Sequence, residues 1–219
     1  MSPAAQGGSA GIVLVGGRSE RMGATKAGLE WGDGTLLDAV VTALTPAVER
    51  VVVVRAPGQT LPDLPDRVGL TEDRVAGRGP LEGMLAGLRA VAPGHERAVV
   101  VAVDMPFMTP ALAVRLLAGL DGGADAAVPR IGGQAQPLAA AYRTALIGVL
   151  SGLLETGERR AGALLAAVRV AWLDPEALLA DPAVRTRDPR LDGLRDIDTP
   201  AELADARARW AAYVKHPRS

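Results

Sequence analysis

The chain contains no cysteine, and its only two histidines are His95 and His216. Without cysteine it can form no disulfide, use no thiolate as a nucleophile and build no cysteine-based zinc site. Two histidines so far apart in the sequence are also too few and too scattered to indicate an imidazole metal site. These absences exclude thiol chemistry and cysteine-based zinc binding as functions of this protein.

Long apolar runs and an excess of basic residues are missing as well. The longest apolar runs fall far short of the roughly 20 residues that a bilayer-spanning helix needs. Residues 1–10 lack the basic-then-apolar order of a secretory signal peptide. The formal net charge is −1, which favours neither nucleic acid nor a membrane surface as a partner. We therefore expect a cytoplasmic protein with a small substrate, while the sequence indicates no particular oligomeric state.

Aromatic residues make up only 3% of the chain, whereas apolar residues as a whole make up 48%. The core is therefore expected to consist mainly of valine, leucine and alanine. A length of 219 residues suits one large α/β domain better than two small ones. We expect a flexible N-terminal segment at residues 1–10, a single domain at 11–214 and a flexible tail at 215–219.

Three short and continuous apolar runs occur at residues 11–15, 50–54 and 98–103. Such runs are typical of strands that are buried on both faces, as in a parallel sheet. The segments 35–48 and 81–91 lie between them and carry apolar residues at helical spacing. This alternation predicts a Rossmann-like, doubly wound and mostly parallel sheet, with helices on both faces and ligands outside the carboxyl ends of the strands.

The later part of the chain contains helix starts and one irregular segment. Thr109 and Pro110 are typical of the cap and first residue of a helix. The segment 199–202 reads as a capping box that opens the last helix. The segment 174–195 is rich in proline, aspartate and arginine. There we predict a long, loosely packed excursion with one short helix at Pro175–Leu179.

A glycine-rich segment follows the first predicted strand directly. Gly16 and Gly17 let the backbone approach a ligand closely, and successive N–H groups in such a loop can bind an anion. Arg18, Arg21 and Lys26 add cationic charge that suits a triphosphate. The segment fits neither the P-loop pattern nor the dinucleotide-binding pattern. A strand-to-helix turn with exposed basic residues is the alternative interpretation.

Asp104 follows the third apolar run, in the segment Val-Asp-Met-Pro-Phe. This position is the ligand-binding edge of a doubly wound sheet. Phosphoryl chemistry needs a hard oxygen ligand for Mg²⁺ at such a place. A helix cap would be the alternative role for an aspartate here, but we favour the metal.

Residues 14–26 resemble the signature loop of the MobA-like nucleotidyltransferases, which reads roughly L-A-G-G-x-S-x-R-M-G-x-D-K. The chain departs from that pattern at Val15 and Thr25. Residues 79–83 are similar to the family's G-P-L-x-G segment, and 104–107 to its D-M-P-F segment. Residues 196–200 resemble a D-x-D-T-P motif, so matches occur in the family's order over nearly the whole chain.

The resemblance implies an enzyme that uses Mg²⁺ to transfer GMP from GTP to the phosphate of molybdopterin, with release of pyrophosphate. It implies catalytic roles for Asp104, Lys26 and Arg21, and metal binding by Asp104 and Asp198. The implied nucleotide contacts are Leu14, Val15, Gly16, Gly17, Lys26, Asp73, Gly79, Pro80, Leu81 and Asp104. Transfer from another NTP, such as CTP, to a different cofactor or sugar phosphate is one alternative, and a non-catalytic nucleotide-binding module is another.

The acceptor and the base are less well marked in the sequence. Segments 136–138, 142–143 and 157–160 resemble the acceptor side of the family, and Arg159 with Arg160 would suit an anionic acceptor. Solvated arginines at a helix start are an equal alternative. Val54 stands where guanylyl enzymes often have a polar contact to the nucleotide, so we expect GTP to be preferred by a reduced margin.

Overall fold

The computed structural model describes residues 8–16, 25–74 and 79–215. The expectations for Gly17 and Arg21, and for the rest of 17–24 and 75–78, lie outside the described residues. The strands are β1 (Ser9–Leu14), β2 (Glu30–Trp31), β3 (Gly34–Thr35), β4 (Arg50–Arg55), β5 (Gly69–Glu72), β6 (Arg97–Ala102), β7 (Ala126–Ile131), β8 (Gln134–Ala135), β9 (Ala139–Arg143) and β10 (Val170–Leu173). The helices are α1 (Leu36–Leu44), α2 (Pro80–Val91), α3 (Pro110–Ala118), α4 (Ile147–Glu155), α5 (Ala161–Ala166), α6 (Pro175–Leu179), α7 (Pro182–Arg187) and α8 (Pro200–Lys215).

The main sheet has the strand order β10-β7-β9-β6-β1-β4-β5, with β8 paired to β7. Strand β1 is parallel to both β4 and β6, and β4 is parallel to β5. Strand β9 runs antiparallel to its neighbours β6 and β7. The mostly parallel sheet predicted from the sequence is therefore confirmed, with β9 as an antiparallel insertion. Strands β2 and β3 pair with each other as a separate short hairpin.

The central strands are covered on both faces. In β1, Val13 belongs to one hydrophobic cluster while Ile12 and Leu14 belong to another, as expected when successive side chains alternate across a sheet. The cluster containing Val13 also holds the buried residues of α1 and α3. The cluster containing Ile12 holds those of α2, α4 and α5. Helices thus flank both faces, which confirms the doubly wound arrangement.

Two boundaries differ from the sequence-based expectations. Ser9 and Ala10, assigned above to a flexible segment, belong to β1, and Ala10 pairs with residues of both β4 and β6. Helix α1 begins after its cap Thr35 but ends at Leu44 instead of continuing to residue 48. Pro46 explains the early end, because proline supplies no backbone donor and its ring disfavours helix at the preceding turn.

The prediction of a loosely packed excursion at 174–195 is wrong. Helix α6 lies where it was expected, but α7 follows it, and the side chains of Leu178 and Val184 are fully buried in the core. Asp174 and Asp181 each cap a helix whose first residue is proline. The aspartates and prolines that suggested a loop are therefore helix-start signals.

In the part of the chain that the structure describes, no helix combines the length and the apolar character needed to cross a bilayer.

Candidate active site

The candidate site lies where the chain changes direction across the sheet. From β1 the chain proceeds outward to β4 and β5 and then returns to β6 on the other side of β1. Ligands of doubly wound sheets bind outside the carboxyl ends of the strands at such a switch point. The segments that leave β1 and β6 are held side by side there, because the Val103 N–H donates to the Leu14 carbonyl at 3.0 Å. Asp104 follows directly.

Three charged side chains meet at this edge. The Lys26 Nζ donates to Asp104 Oδ2 at 2.8 Å and to Asp198 Oδ1 at 2.7 Å. The Lys26 and Asp104 side chains are 16% and 20% exposed, whereas Asp198 is 59% exposed. Burial lowers the pKa of the Lys26 ammonium, but its hydrogen bonds and charge interactions with the two carboxylates outweigh that effect and raise it overall. Lys26 is therefore a permanent cation between two carboxylates.

Local structure sets the position of each member of this group. Lys26 begins a short 3₁₀ turn, Lys26–Gly28, that leads into the β2–β3 hairpin. Asp198 precedes α8, where Glu202 Oε2 accepts from the backbone N–H groups of Asp198 and Thr199 at 2.9 and 2.8 Å. The Thr199 hydroxyl accepts in return from the Glu202 N–H at 3.2 Å. The capping box predicted from the sequence is thus confirmed, and it fixes the backbone of a site residue.

Asp73 forms a second feature at the same edge, after β5. Its Oδ1 is buried and has no hydrogen-bond partner within the described ranges. A methyl group added to Gly16 would lie 3.3 Å from Asp73 Oδ2, and one added to Gly83 would lie 3.3 Å from Oδ1. The carboxylate therefore faces both glycine motifs. Burial, followed by the negative charge of Glu82, raises the pKa of Asp73 to about 6.

Glu82 was not identified from the sequence. It is buried in the first turn of α2, and acidic residues are common at that position of any helix. Nothing in the sequence distinguishes it from an ordinary exposed acid, since its burial depends on how α2 packs near Asp73. Its effect on the Asp73 carboxylate makes it part of the candidate site.

Gly79 joins the second glycine motif to the segment 157–160. Its φ is +75°, and a methyl group there would lie 2.8 Å from the Arg159 carbonyl oxygen, so glycine alone fits. Pro80 occupies the first turn of α2. The Leu81 side chain is fully buried in the core, so any contact it makes with a nucleotide would come from its backbone. Leu14 and Val15 are also buried, so they too could contact a nucleotide only through their backbone.

The expected acceptor segments are not all at this edge. The Ala102 N–H donates to the Leu138 carbonyl at 2.8 Å, which places 136–138 beside the site. Tyr142 is fully buried, and Arg143 pairs with Arg97 at the opposite end of β6. The expectation for Tyr142 and Arg143 is therefore wrong, because β9 runs antiparallel and carries them away from Asp104.

Arg160, by contrast, is largely exposed and lies in the segment next to Gly79. It forms an ion pair with Glu158, at 3.2 Å between Arg160 Nη2 and Glu158 Oε2. This geometry is compatible with either interpretation of the arginine given above.

The donor set fits a divalent metal that is shared with a substrate. Within the described residues, no group of three His, Cys, Asp or Glu side chains is arranged to hold a metal ion. Asp104 and Asp198, however, both place an oxygen within 2.8 Å of a single positive charge, the Lys26 ammonium. Mg²⁺ is commonly bound by one or two carboxylates, with water and substrate phosphates completing its octahedron. The two aspartates meet that requirement.

Comparisons with known proteins agree with this geometry. Residues 11–172 match the family model of the MobA-like NTP transferase domain. A probable molybdenum cofactor guanylyltransferase from Chloroflexus aggregans is 36% identical over 199 residues, covering 88% of this chain and 90% of the relative. A probable molybdenum cofactor guanylyltransferase from Mycobacterium avium is 41% identical over 160 residues, covering 71% of this chain and 80% of the relative.

A solved structure shares the fold. The molybdopterin-guanine dinucleotide biosynthesis protein A of Archaeoglobus fulgidus superposes with a TM-score of 0.75 at 24% identity, covering 93% of this chain and 99% of that one. The family model accounts for well over half of the chain, including most of β1, all of β4 and β6, and Asp104. The protein therefore belongs to the MobA-like NTP transferase family.

Proposed function

We propose that this protein transfers GMP from GTP to the phosphate of molybdenum-bound molybdopterin, releasing pyrophosphate in a Mg²⁺-dependent reaction. The observation that carries the proposal is the meeting of Lys26, Asp104 and Asp198 at the switch point of the sheet, beside the first glycine motif. The choice of GTP as the nucleotide and of molybdopterin as the acceptor follows the names of the relatives at 36% and 41% identity.

The reaction is an in-line displacement at the α-phosphorus of GTP. An acceptor phosphate oxygen forms the new bond to that phosphorus, and the bond to the β-phosphate breaks with its electron pair leaving on pyrophosphate. The acceptor phosphate already carries negative charge at neutral pH, so no protein base is needed. Positioning and charge neutralisation provide most of the catalysis in such reactions.

The chain's own residues have distinct parts in this scheme. Asp104 and Asp198 are the residues that would hold Mg²⁺, which would supply charge stabilisation at the reacting phosphates. Lys26 neutralises the triphosphate and the departing pyrophosphate. We assign the same role to Arg21, and this assignment is supported by the sequence motif alone. The nucleotide is bound against the backbone of Leu14 to Gly16 and of Gly79 to Leu81.

We assign recognition of the base to Asp73. Its carboxylate can accept from the N1–H and the amino group of guanine, and its buried Oδ1 lacks a partner among the described residues. A buried polar group left unpaired by the wrong base costs binding energy. Val54 is buried within β4 and offers no side-chain hydrogen bond, so selectivity depends on Asp73 and the loop backbone.

Competition between GTP, CTP and ATP at equal concentration, with molybdopterin as acceptor, tests the proposal. We expect GTP to be used preferentially, with pyrophosphate released in step with the adduct. A clear preference for CTP would contradict the guanylyl assignment while leaving a nucleotidyltransferase. Absence of turnover with every NTP would favour a non-catalytic nucleotide-binding module.

A further inference from the structure

Three of the few aromatic residues form one cluster. The sequence holds three tryptophans, two tyrosines and one phenylalanine, and Trp31, Phe107 and Trp210 all contact one another. The Trp31 and Phe107 ring centroids are 5.0 Å apart in an edge-to-face arrangement, and Trp210 lies 5.6 Å from Trp31 and 6.2 Å from Phe107. Edge-to-face packing stabilises beyond simple burial and favours particular ring geometries.

Each ring lies on a segment that carries one of the charged site residues. Trp31 is in β2, shortly after Lys26. Phe107 follows Asp104 by three residues. Trp210 is on α8, which begins directly after Asp198 and Thr199. The aromatic cluster thus packs together the three segments that carry Lys26, Asp104 and Asp198, the charged residues of the candidate site.

Helix α8 has few other apolar anchors. It buries Leu203 and Ala206, whereas most of its other described residues are exposed. Trp210 packs closely on the hairpin turn, since a methyl group on Gly32 would lie 3.0 Å from the Trp210 Nε1. Among the described side chains of α8, Trp210 is thus the one large ring that packs against the core, together with Leu203 and Ala206.

Polar contacts support the same placement of α8. Arg207 donates to the Glu30 carbonyl at 2.7 Å, and Arg209 donates to Asp192 at 3.0 Å while its guanidinium stands 5.1 Å from the Phe107 ring centre. These contacts are directed at β2, at the turn Asp192–Leu194 and at the Phe107 ring. They fix the orientation of the helix around the aromatic cluster.

The ion pair between Asp198 and Lys26 is too weak to place Asp198 by itself. Asp198 is 59% exposed, and ion pairs with exposed members contribute little because water and salt screen them. The Ile197 N–H donates to the Asp104 carbonyl at 3.0 Å, which fixes the chain just before Asp198. Beyond that point, the direction of the chain is set by where α8 begins.

We propose that Trp210 is a positioning residue for the reaction: by packing on Trp31 and Phe107 it holds α8 so that Asp198 meets Lys26 and Asp104. This inference rests on the proposed function, because it gives Asp198 a part in holding Mg²⁺. It concerns a segment beyond residue 172, where the family model ends. Groups that orient metal ligands without touching the metal commonly change metal affinity by about 10- to 100-fold when removed.

The test compares Trp210→Ala, Trp210→Leu and Trp210→Phe with a matched control, Trp172→Ala. Trp172 is 40% exposed on β10 and stacks with Arg130. Trp172→Ala therefore removes an indole that lies away from the site. Two quantities are measured for each protein. One is the Mg²⁺ concentration that gives half-maximal pyrophosphate release, and the other is the Mg²⁺ concentration that gives half of the GTP-induced rise in Tm.

We expect Trp210→Ala to raise both Mg²⁺ requirements about tenfold, with kcat at saturating Mg²⁺ largely retained. Trp210→Phe, which keeps an aromatic ring in the cluster, should raise the Mg²⁺ requirements less than Trp210→Ala does, and Trp172→Ala should match the wild type. Trp210→Leu serves the same purpose as Trp210→Ala if the latter does not fold. Unchanged Mg²⁺ requirements in a folded Trp210→Ala or Trp210→Leu protein would overturn the proposal and assign the placement of Asp198 to Ile197.

The two readouts separate this inference from the function it rests on. If the wild-type protein showed no turnover, the proposed reaction would fail. The Tm readout would still decide the role of Trp210, because it requires GTP and Mg²⁺ binding but no reaction. A lower Tm with kcat reduced and both Mg²⁺ requirements unchanged would show a purely structural tryptophan and also overturn the proposal.

Discussion

At the scale of single residues, the site is organised by two unusual carboxylate environments. Among the described residues, Asp104 and Asp198 share one ammonium, that of Lys26, so two carboxylates there are paired with one positive charge. Asp73 is half-buried, and burial together with the negative charge of Glu82 raises its pKa. The first arrangement attracts a further cation, and the second offers an acceptor that is costly to leave unpaired.

Replacing Lys26 by methionine tests its part in handling the triphosphate. An ammonium that faces the β- and γ-phosphates has little to neutralise on a monophosphate. We expect Lys26→Met to weaken GTP binding by about 10-fold or more, the size of a lost charge-assisted hydrogen bond, and GMP binding much less. Titration calorimetry with both nucleotides at fixed Mg²⁺ measures this, and equal losses for GTP and GMP would place Lys26 away from the outer phosphates.

The raised pKa of Asp73 predicts how GTP binding depends on pH. The ionised carboxylate is the form that accepts from guanine, so GTP affinity should fall as the pH drops below about 6, by up to roughly tenfold per pH unit. Asp73→Asn should bind GTP weakly and lack this part of the pH dependence. Protonation of the triphosphate affects both proteins equally, so identical pH profiles for the two would contradict the assignment.

Asp73→Asn should weaken GTP binding but stabilise the protein in the absence of GTP. The folded pKa of Asp73 lies above its unfolded value, so the folded state binds the proton more tightly and stability decreases as the pH rises from about 4 to about 6. At neutral pH the ionised Asp73 therefore destabilises the fold. Asp73→Asn should raise the Tm at pH 7 and have less effect at pH 4, and a lowered Tm at pH 7 would contradict the account.

At the scale of elements, α2 holds the second glycine motif against the first strand. A methyl group on Gly83 would lie 3.3 Å from Leu14 Cδ2, and one on Gly87 would lie 2.4 Å from Ile12 Cγ2. These glycines, one helical turn apart, let the helix axis approach β1 closely. The approach places the start of α2 next to the end of β1, which is where the nucleotide is proposed to bind.

Gly87→Ala should therefore destabilise the protein, although alanine is the better helix former. Overpacking against Ile12 is expected to cost about 1–3 kcal/mol. Gly152 in α4 has open space around it, so Gly152→Ala should be neutral or stabilising by up to about 1 kcal/mol. Chemical denaturation measures both, and similar effects for the two substitutions would show that α2 does not pack as closely as described.

The elements also show why prediction from the sequence succeeded in part. Strands β1, β4 and β6 are continuous apolar runs at the centre of the sheet, so burial on both faces was evident from composition. Strand β9 contains three alanines, Ala139 to Ala141, which have little intrinsic preference for strands. Its antiparallel orientation is imposed by β6 and β7, and no local signal carries that information. The misplacement of Tyr142 and Arg143 followed from this gap.

The site shows the same division between local and long-range information. Lys26, Asp104 and Asp198 were each identified by motif and by position relative to a strand or helix. Their hydrogen bonds span 78 and 172 residues of sequence, and such distances depend on the packing of the whole fold. The aromatic cluster was not foreseen for the same reason, since its three members are scattered among unrelated motifs.

At the scale of the whole molecule, the topology explains why these groups meet. Strands β1 and β6 are neighbours at the switch point of the sheet, and Lys26 pairs with Asp104 at the edge where they end. The segment just before α8 lies at the same edge and supplies Asp198, which accepts from Lys26. The proposed reaction therefore depends on residues that lie far apart in the sequence, Lys26, Asp104 and Asp198.

The most direct test is guanylylation measured with wild-type protein and Asp104→Asn. GTP, Mg²⁺ and molybdenum-bound molybdopterin are supplied, pyrophosphate release is followed, and the adduct is identified by mass spectrometry, with a melting curve for each protein. We expect a GMP adduct formed in step with pyrophosphate by the wild type, and a rate lower by about 10²–10³-fold in a folded Asp104→Asn protein. Near-normal pyrophosphate release by folded Asp104→Asn, or no GMP adduct from the wild type, would contradict this expectation.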